Sequence, residues 1–486
     1  MLTKFIYAAI LVMSGFVVTS CGGSGGTSGS SGTGGGPTQK AIQQQSASKA
    51  ISSAASKLFN PSNVAASMNS IAAAAKLQAN VSTAVANANS VLVTYKSGEK
   101  EIWCAQENFD VPAMAKPGAH PTFVTRRQSK HASTWTPGRS RFGRPVSPIA
   151  PKTALTINFA TNDTLHGDVA TPLKQVRDCL ATAGYRGKAA AAPDSWGHDD
   201  FTLGSVAKLS GYGVVILITH GYQDATTATQ ILTGEVVTAA NRTKYAKWWA
   251  KGYVMPGTVL TKSPGDSNVN LETDWCFNKD FLTSDFFDVN GLPHPLDFSG
   301  MVMFDGACDQ MVTMDLAQQF LDLGASAFYG YDGEDTFSPW SFEALAEALE
   351  GGGDTQTVLT QPWAPVIIED PVTGSIIHGL GHPVQLSHLA HAPTITITSP
   401  SQGAFIPPNS NLQVTGHISG YTIVNQGPMF PWAWLYFAGS KMTVSSTGDY
   451  LISIPVGPTP GPTTLVTMIM GNQGFAATAI DVGNGN

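Results

Sequence analysis

Between residues 153 and 350 short, wholly apolar runs alternate with amphipathic ones, and no other feature restricts the possible folds of the chain as strongly. ALTINFA (154–160), KAAAAP (188–193), YGVVILITH (212–220), GMVMFDGAC (300–308) and ASAFYGY (325–331) read as strands. TPLKQVRDCLATAG (171–184), DFTLGSVAKLS (200–210), MVTMDLAQQFLDLG (311–324) and SPWSFEALAEALEG (338–351) read as helices, the last with Ser338 as N-cap and Pro339 in its first turn. Strands apolar on both faces have to be covered on both faces. Strand then helix, repeated, therefore predicts an α/β domain with a mostly parallel sheet flanked by helices. In such sheets ligands bind at the carboxyl ends of the strands.

Two of the predicted strands end in residues with chemistry to offer. One stops at His220-Gly221 and another at Cys308, and in a parallel sheet both ends lie on one edge. A thiol near its reference pKa of ~8.5 is mostly protonated at neutral pH, so a nucleophilic cysteine needs a neighbouring imidazole. His220 is the candidate general base and acid for Cys308 as nucleophile. The N–H groups of Gly221 and Cys308 are the candidate oxyanion donors, because a residue without a side chain lets its backbone face a developing charge. Taken singly, a cysteine at a strand end reads as a small buried hydrophobe and a histidine there as a structural residue. Together they predict thiol acyl chemistry.

The remaining chain divides by composition. Residues 38–95 are rich in Ala, Ser, Gln and Asn and predict a helical stalk or pro-segment, broken near Asn60-Pro61. Residues 96–152 are irregular and carry the main basic cluster, Arg126, Arg127, Lys130, Arg139, Arg141 and Arg144, with a solvated loop or a processing site as the two readings. The excursion 221–299 is too long for a bare connection; ATQILTGEVVT (228–238) predicts a hairpin and NKDFLTSDFF (278–287) a short helix. The domain around the sheet extends over 153–392, its last part a polar linker. That linker holds His378, His382, His388 and His391, but no helical register or carboxylate partner turns them into ligands, so no metal is expected. Residues 393–486 alternate polar and apolar between Gly, Pro and Asn turns, which predicts an antiparallel sandwich. Trp432, Trp434 and Tyr436 read there as core and edge packing rather than a carbohydrate platform.

The first 21 residues run from Lys4 through a short apolar stretch to small residues, the order of a secretory signal. Val18-Thr19-Ser20-Cys21 resembles a bacterial lipobox, in which the cysteine carries lipid, and residues 22–37 follow as a Gly/Ser tether. This resemblance implies a lipid anchor at Cys21 and a place on the bacterial cell envelope. A net charge of −7 argues against a general nucleic-acid binder. Five cysteines in 486 residues do not make a disulfide scaffold, and at most one bridge can form among Cys104, Cys179 and Cys276.

Strand-His-Gly followed by strand-Ala-Cys, with GASAFYGY on the next strand, resembles the caspase-hemoglobinase fold of cysteine peptidases, nearest to its gingipain and clostripain-like branches. The resemblance implies an endopeptidase acting on proteins or peptides through Cys308 and His220 without a cofactor. In that fold the end of the first strand lines the primary specificity pocket, which implies a role for Asp163, with Asp332 a second candidate. A carboxylate there would select Arg or Lys, and either acid also reads as a loop cap. The tail is similar to the immunoglobulin-like modules that bacteria append to secreted enzymes. The rival reading is a non-enzymatic surface binding lipoprotein, its caspase-like body a degenerate scaffold and its sandwich an adhesive module.

Overall fold

The computed structural model describes residues 37–87, 89–105, 147–159, 170–224, 227–262, 268–333, 338–360, 370, 375–386, 393–420, 434–437, 440–442, 447–455, 463–470 and 476–482. Its first element is the helix Gln39–Leu58, started by Thr38, whose side chain accepts the Ala41 N–H. Ala47, Ile51 and Ala55 recur every four residues and bury one stripe of it. Asn60 and Pro61 break the run as the sequence predicts, and the helix Val64–Lys76 follows, capped by Asn63.

From Val81 onward the segment read as helical turns into two antiparallel strands, β1 (Val81–Ala86) and β2 (Ser90–Tyr95), and the start of the stretch read as irregular adds a third, β3 (Lys100–Ala105). Val91, Val93 and Tyr95 are β-branched or aromatic and lie in the core, so packing outweighs the helix-favouring alanines before them. This hairpin-and-strand unit is bound into the body by charge as well as by packing. Glu101, fully buried, accepts a hydrogen bond from Ser48 on the first helix at 2.6 Å and another from Tyr95, and faces the buried Arg242.

Further along the chain come β4 (Ser147–Pro148), β5 (Ala154–Asn158), β6 (Asp194–Trp196), β7 (Val214–Ile218), β8 (Gly221–Asp224), β9 (Thr227–Val236), β10 (Val254–Thr261) and β11 (Asn270–Phe277). Then follow β12 (Val302–Asp305), β13 (Ala327–Tyr331), β14 (Ile377–Gly381) and β15 (Val384–Gln385). Two sheets make up the body. The first has the order β14-β13-β12-β7-β5-β6, parallel throughout except for β14. The second, β1-β2-β3-β10-β11-β9-β8, joins the amino-terminal strands to the excursion through the parallel pair β3 and β10. Strands β4 and β15 form a separate parallel pair.

Alternation along the central strands shows how the first sheet is covered. Val214, Ile216, Val302 and Phe304 face a core that includes Leu173 and Val176 of the helix Ala170–Thr182 and Phe342 and Leu345 of the helix Ser338–Glu350. Leu155, Ile157, Val215, Leu217 and Met303 face the other way, into a core shared with Leu232, Val259 and Trp275 of the second sheet. Both faces are thus apolar, as the continuous runs in the sequence require.

Several local expectations change. The strand expected at 188–193 forms later, at Asp194–Trp196, and the helix expected at 200–210 is the 3-10 turn Gly204–Leu209. Residues 278–287 divide into the 3-10 turn Lys279–Thr283 and the single turn Phe286–Val289. ATQILTGEVVT is one strand rather than a hairpin. Gly234, which signals a turn in the sequence, instead lets the main chain at His198 approach: a Cβ there would lie 1.8 Å from the His198 carbonyl oxygen. Part of the stretch read as a linker is β14, which adds to the edge of β13 in antiparallel register.

Beyond residue 393 the strands Thr394–Ser399, Asn411–Ser419 and Asp449–Pro455 form one antiparallel sheet, and Trp434–Phe437, Ser440–Met442, Thr463–Met470 and Ala476–Val482 form another. Ile395, Val414, Ile418 and Ile452 of the first share a core with Leu465 and Val482 of the second. No helix among the described residues is long and apolar enough to cross a membrane.

Candidate active site

Strands β7 and β12 are neighbours, in parallel register from Val214 with Val302 to Leu217 with Asp305. The Gly306 N–H donates to the Leu217 carbonyl at 2.7 Å and carries the pairing past the end of β12. His220 and Cys308 therefore leave the sheet on the same edge from adjacent strands. Gly221 shows how close the two chains come: a Cβ built on it would lie 2.2 Å from the Cys308 carbonyl oxygen and 3.0 Å from the Ala307 Cβ. Only a residue without a side chain fits between them. The Phe159 ring meets the His220 imidazole edge-on, their centroids 5.5 Å apart. His220 and Cys308 are both half-buried.

The Leu232 N–H donates to the His220 carbonyl at 3.0 Å, which makes Gly221 and Ile231 a pair without mutual hydrogen bonds in the β8–β9 ladder. The Gly221 N–H accordingly points away from β9. The loop after β12 is held from several sides. The Asp309 N–H donates to the Gly333 carbonyl and the Met311 N–H to the Tyr331 carbonyl, each at 2.9 Å. The fully buried Gln310 donates through Nε2 to the carbonyls of Cys308 and Gln230 at 3.1 and 3.3 Å. Asp309 takes a left-handed φ of 62°, an uncommon conformation that turns the chain just past the cysteine.

Beneath the loop, Asp305 accepts the Ala307 N–H at 2.9 Å through one oxygen while the other is buried without a hydrogen bond among the described residues. Burial pushes the Asp305 carboxyl up to about 7.

The described cysteines differ in accessibility. Cys104, Cys179 and Cys276 are buried, Cys308 is not, and none of the four is in a disulfide. Burial, with Glu350 and Glu347 adding to it, raises the Cys179 thiol well above its ordinary value, and burial raises that of Cys276 as well.

Of the candidate specificity acids, Asp332 follows β13 and both its oxygens are engaged: Oδ1 accepts the Ile376 N–H at 2.8 Å and Oδ2 lies 2.9 Å from His378 Nε2. That gives His378 a carboxylate partner just past the neighbouring strand. Asp163, Cys21, the basic run 126–144, His388, His391 and Trp432 lie outside the described residues.

The sequence gives little notice of a second polar cluster close by. His198 opens a 3-10 turn after β6, and its Nδ1 lies 2.7 Å from Asp199 Oδ1. Its Nε2 lies 2.9 Å from Glu272 Oε1 and 3.5 Å from Asp274 Oδ2, both on β11. Asp274, with Glu272 assisting, pushes the His198 imidazole up to about 10. The Phe159 ring that touches His220 also stacks on His198, 4.4 Å between centroids. Glu272 and Asp274 alternate onto one face of a strand, which period-two reading can find, but nothing in the sequence links them to a histidine more than seventy residues earlier.

No family model and no curated protein matches the chain. Among solved structures, a chimeric titin Z1Z2-Z1Z2 tandem carrying an exogenous GRGDS peptide from fibronectin is similar at 19% identity and a TM-score of 0.15. The match covers 22% of this chain and 57% of that one.

Proposed function

We propose that the chain is a cysteine endopeptidase of caspase-like fold, nearest in design to the gingipain and clostripain-like enzymes. The observation that carries this reading is the contact of Gly221 with the Cys308 backbone and the Ala307 side chain just past the carboxyl ends of paired parallel strands. The order β6-β5-β7-β12-β13-β14, with only the last strand reversed, supports it further. So does the accessibility of Cys308 compared with the other three described cysteines.

In this reading Cys308 Sγ attacks the substrate carbonyl carbon as His220 takes the thiol proton, and the Gly221 and Cys308 N–H groups hold the oxyanion. His220 then returns the proton to the leaving amine, leaving a thioester. Water, deprotonated by His220, cleaves the thioester and releases the acid. By the same resemblance, Asp163 would direct cleavage after Arg or Lys. Cys21 would anchor the enzyme by lipid to the bacterial cell envelope, with residues 22–37 as tether and the carboxyl-terminal sandwich as an immunoglobulin-like module.

The test is a positional peptide library, together with alkylation at neutral pH, on the wild type, Cys308→Ala and His220→Ala. Cleavage after basic residues that both substitutions abolish, and fast labelling of Cys308 that depends on His220, are the expected results. No cleavage, with Cys308 labelled no faster than a burial-limited thiol, would overturn the proposal in favour of a binding scaffold.

A further inference from the structure

The cluster at His198 brings together groups of the kind that ligate a metal ion. Its three outer groups, one imidazole nitrogen and two carboxylates, have ligand atoms within 4.8 Å of one another. Asp274 is completely buried, and neither of its oxygens accepts a hydrogen bond among the described residues. His198 is 4% exposed, and its Nε2 lies near both carboxylates, 2.9 Å from Glu272 Oε1 and 3.5 Å from Asp274 Oδ2. A buried carboxylate is costly unless its charge is compensated; the His198 imidazole 3.5 Å away offsets part of that cost, and a cation held between the three groups would compensate both acids directly.

Spacing and surroundings agree with this. Ligands about 2.0–2.2 Å from a common ion stand roughly 2.9–3.5 Å apart in octahedral to tetrahedral arrangements. The separations from Nε2, 2.9 Å to Glu272 and 3.5 Å to Asp274, cover that interval. Asp199 sits 2.7 Å from Nδ1, the position from which a carboxylate fixes the tautomer and turns the Nε2 lone pair toward an ion. Gly234 makes the placement possible, since its missing side chain lets the His198 turn settle onto β9 beside β11. Glu272 is about one-third exposed and leaves the outer side of the group open to solvent.

We infer that His198, Glu272 and Asp274 form a binding site for one divalent transition-metal ion of the zinc or manganese type, oriented by Asp199. A nitrogen ligand with two carboxylates suits such an ion better than calcium or magnesium, which prefer oxygen alone. Binding exchanges a proton for the ion at Nε2, so affinity falls with falling pH. The inference does not depend on whether Cys308 is a nucleophile.

The experiment is calorimetric titration of metal-stripped, full-length Cys308→Ala protein with Zn²⁺, Mn²⁺, Ca²⁺ and Mg²⁺, Cys308 being removed so that its thiol cannot bind the ion. One equivalent of Zn²⁺ or Mn²⁺ is expected to bind, and both Glu272→Gln and Asp274→Asn to weaken it by about 100-fold or more, with Asp199→Asn costing roughly 10- to 100-fold. Glu272 lies at the surface, so Glu272→Gln serves as the ligand variant that folds, checked by its thermal unfolding. Cobalt(II) in the same protein should give a spectrum without thiolate charge transfer. No binding of Zn²⁺ or Mn²⁺, binding untouched by Glu272→Gln, or Ca²⁺ or Mg²⁺ binding as tightly would each overturn the assignment.

Discussion

Replacing Gly221 by alanine tests the contact on which the site is built. The added methyl would lie 2.2 Å from the Cys308 carbonyl oxygen and 2.4 Å from Gln310 Nε2, whereas real Cβ atoms keep at least 3.0 Å. The glutamine amide is the end of a flexible side chain and can swing aside. The carbonyl cannot, because its loop is fixed by the Asp309 and Met311 bonds to Gly333 and Tyr331. About 0.8 Å of separation therefore has to open between the start of β8 and the loop after β12, the shortfall of 2.2 Å from 3.0 Å. Overpacking of that kind costs ~1–3 kcal/mol of stability. A displacement approaching 1 Å between reacting groups costs on the order of 100-fold in rate. Denaturant unfolding reads the first effect, and the rate of Cys308 alkylation at neutral pH, with peptide turnover, reads the second. A Gly221→Ala protein that unfolds, labels and turns over like the wild type would refute the claim that Gly221 lies against the Cys308 backbone.

Asp305 carries a pH prediction. Its carboxyl titrates near 7 when folded and near 3.8 when unfolded, so the folded state holds an extra proton between those values and wild-type stability falls as pH rises through that window. Three pH units correspond to ~4 kcal/mol, so Asp305→Asn should gain roughly that much on the wild type between pH 4 and pH 7; urea unfolding at both ends checks it, and a pH-independent difference would count against the buried acid. Glu101→Ala should destabilise by ~3–5 kcal/mol, because it strands the buried Arg242; equilibrium unfolding measures it, and a loss under 1 kcal/mol would mean the amino-terminal unit is not held by that charge pair. Thiol labelling of the native protein should reach Cys308 well before Cys104, Cys179 or Cys276, read by mass spectrometry of the digest.

Much of the parallel sheet is legible because its signal is local. Continuous apolar runs such as VVILI and VMFD can be satisfied only by a strand covered on both sides, and the amphipathic stretches between them supply one of the covers. The placement of His220 and Cys308 at strand ends follows from the same runs. The second sheet is harder to foresee. β3 pairs with β10 across some 150 residues, and no local pattern in KEIWCA states which strand it will join. Gly234 misleads for a related reason: its signal fits a turn and a close approach equally well, and only the neighbouring His198 turn decides between them.

The sequence alone determined the alternation, and through it the central strands β5, β7, β12 and β13 and the ends beyond which the imidazole and the thiol emerge, because side-chain periodicity acts over a few residues. Tertiary structure alone decided that Gly221 lies against the Cys308 backbone and that an imidazole from one connection meets two carboxylates of a distant strand. Contacts of that kind arise from how the two sheets close over a shared core, which brings together residues far apart in the chain.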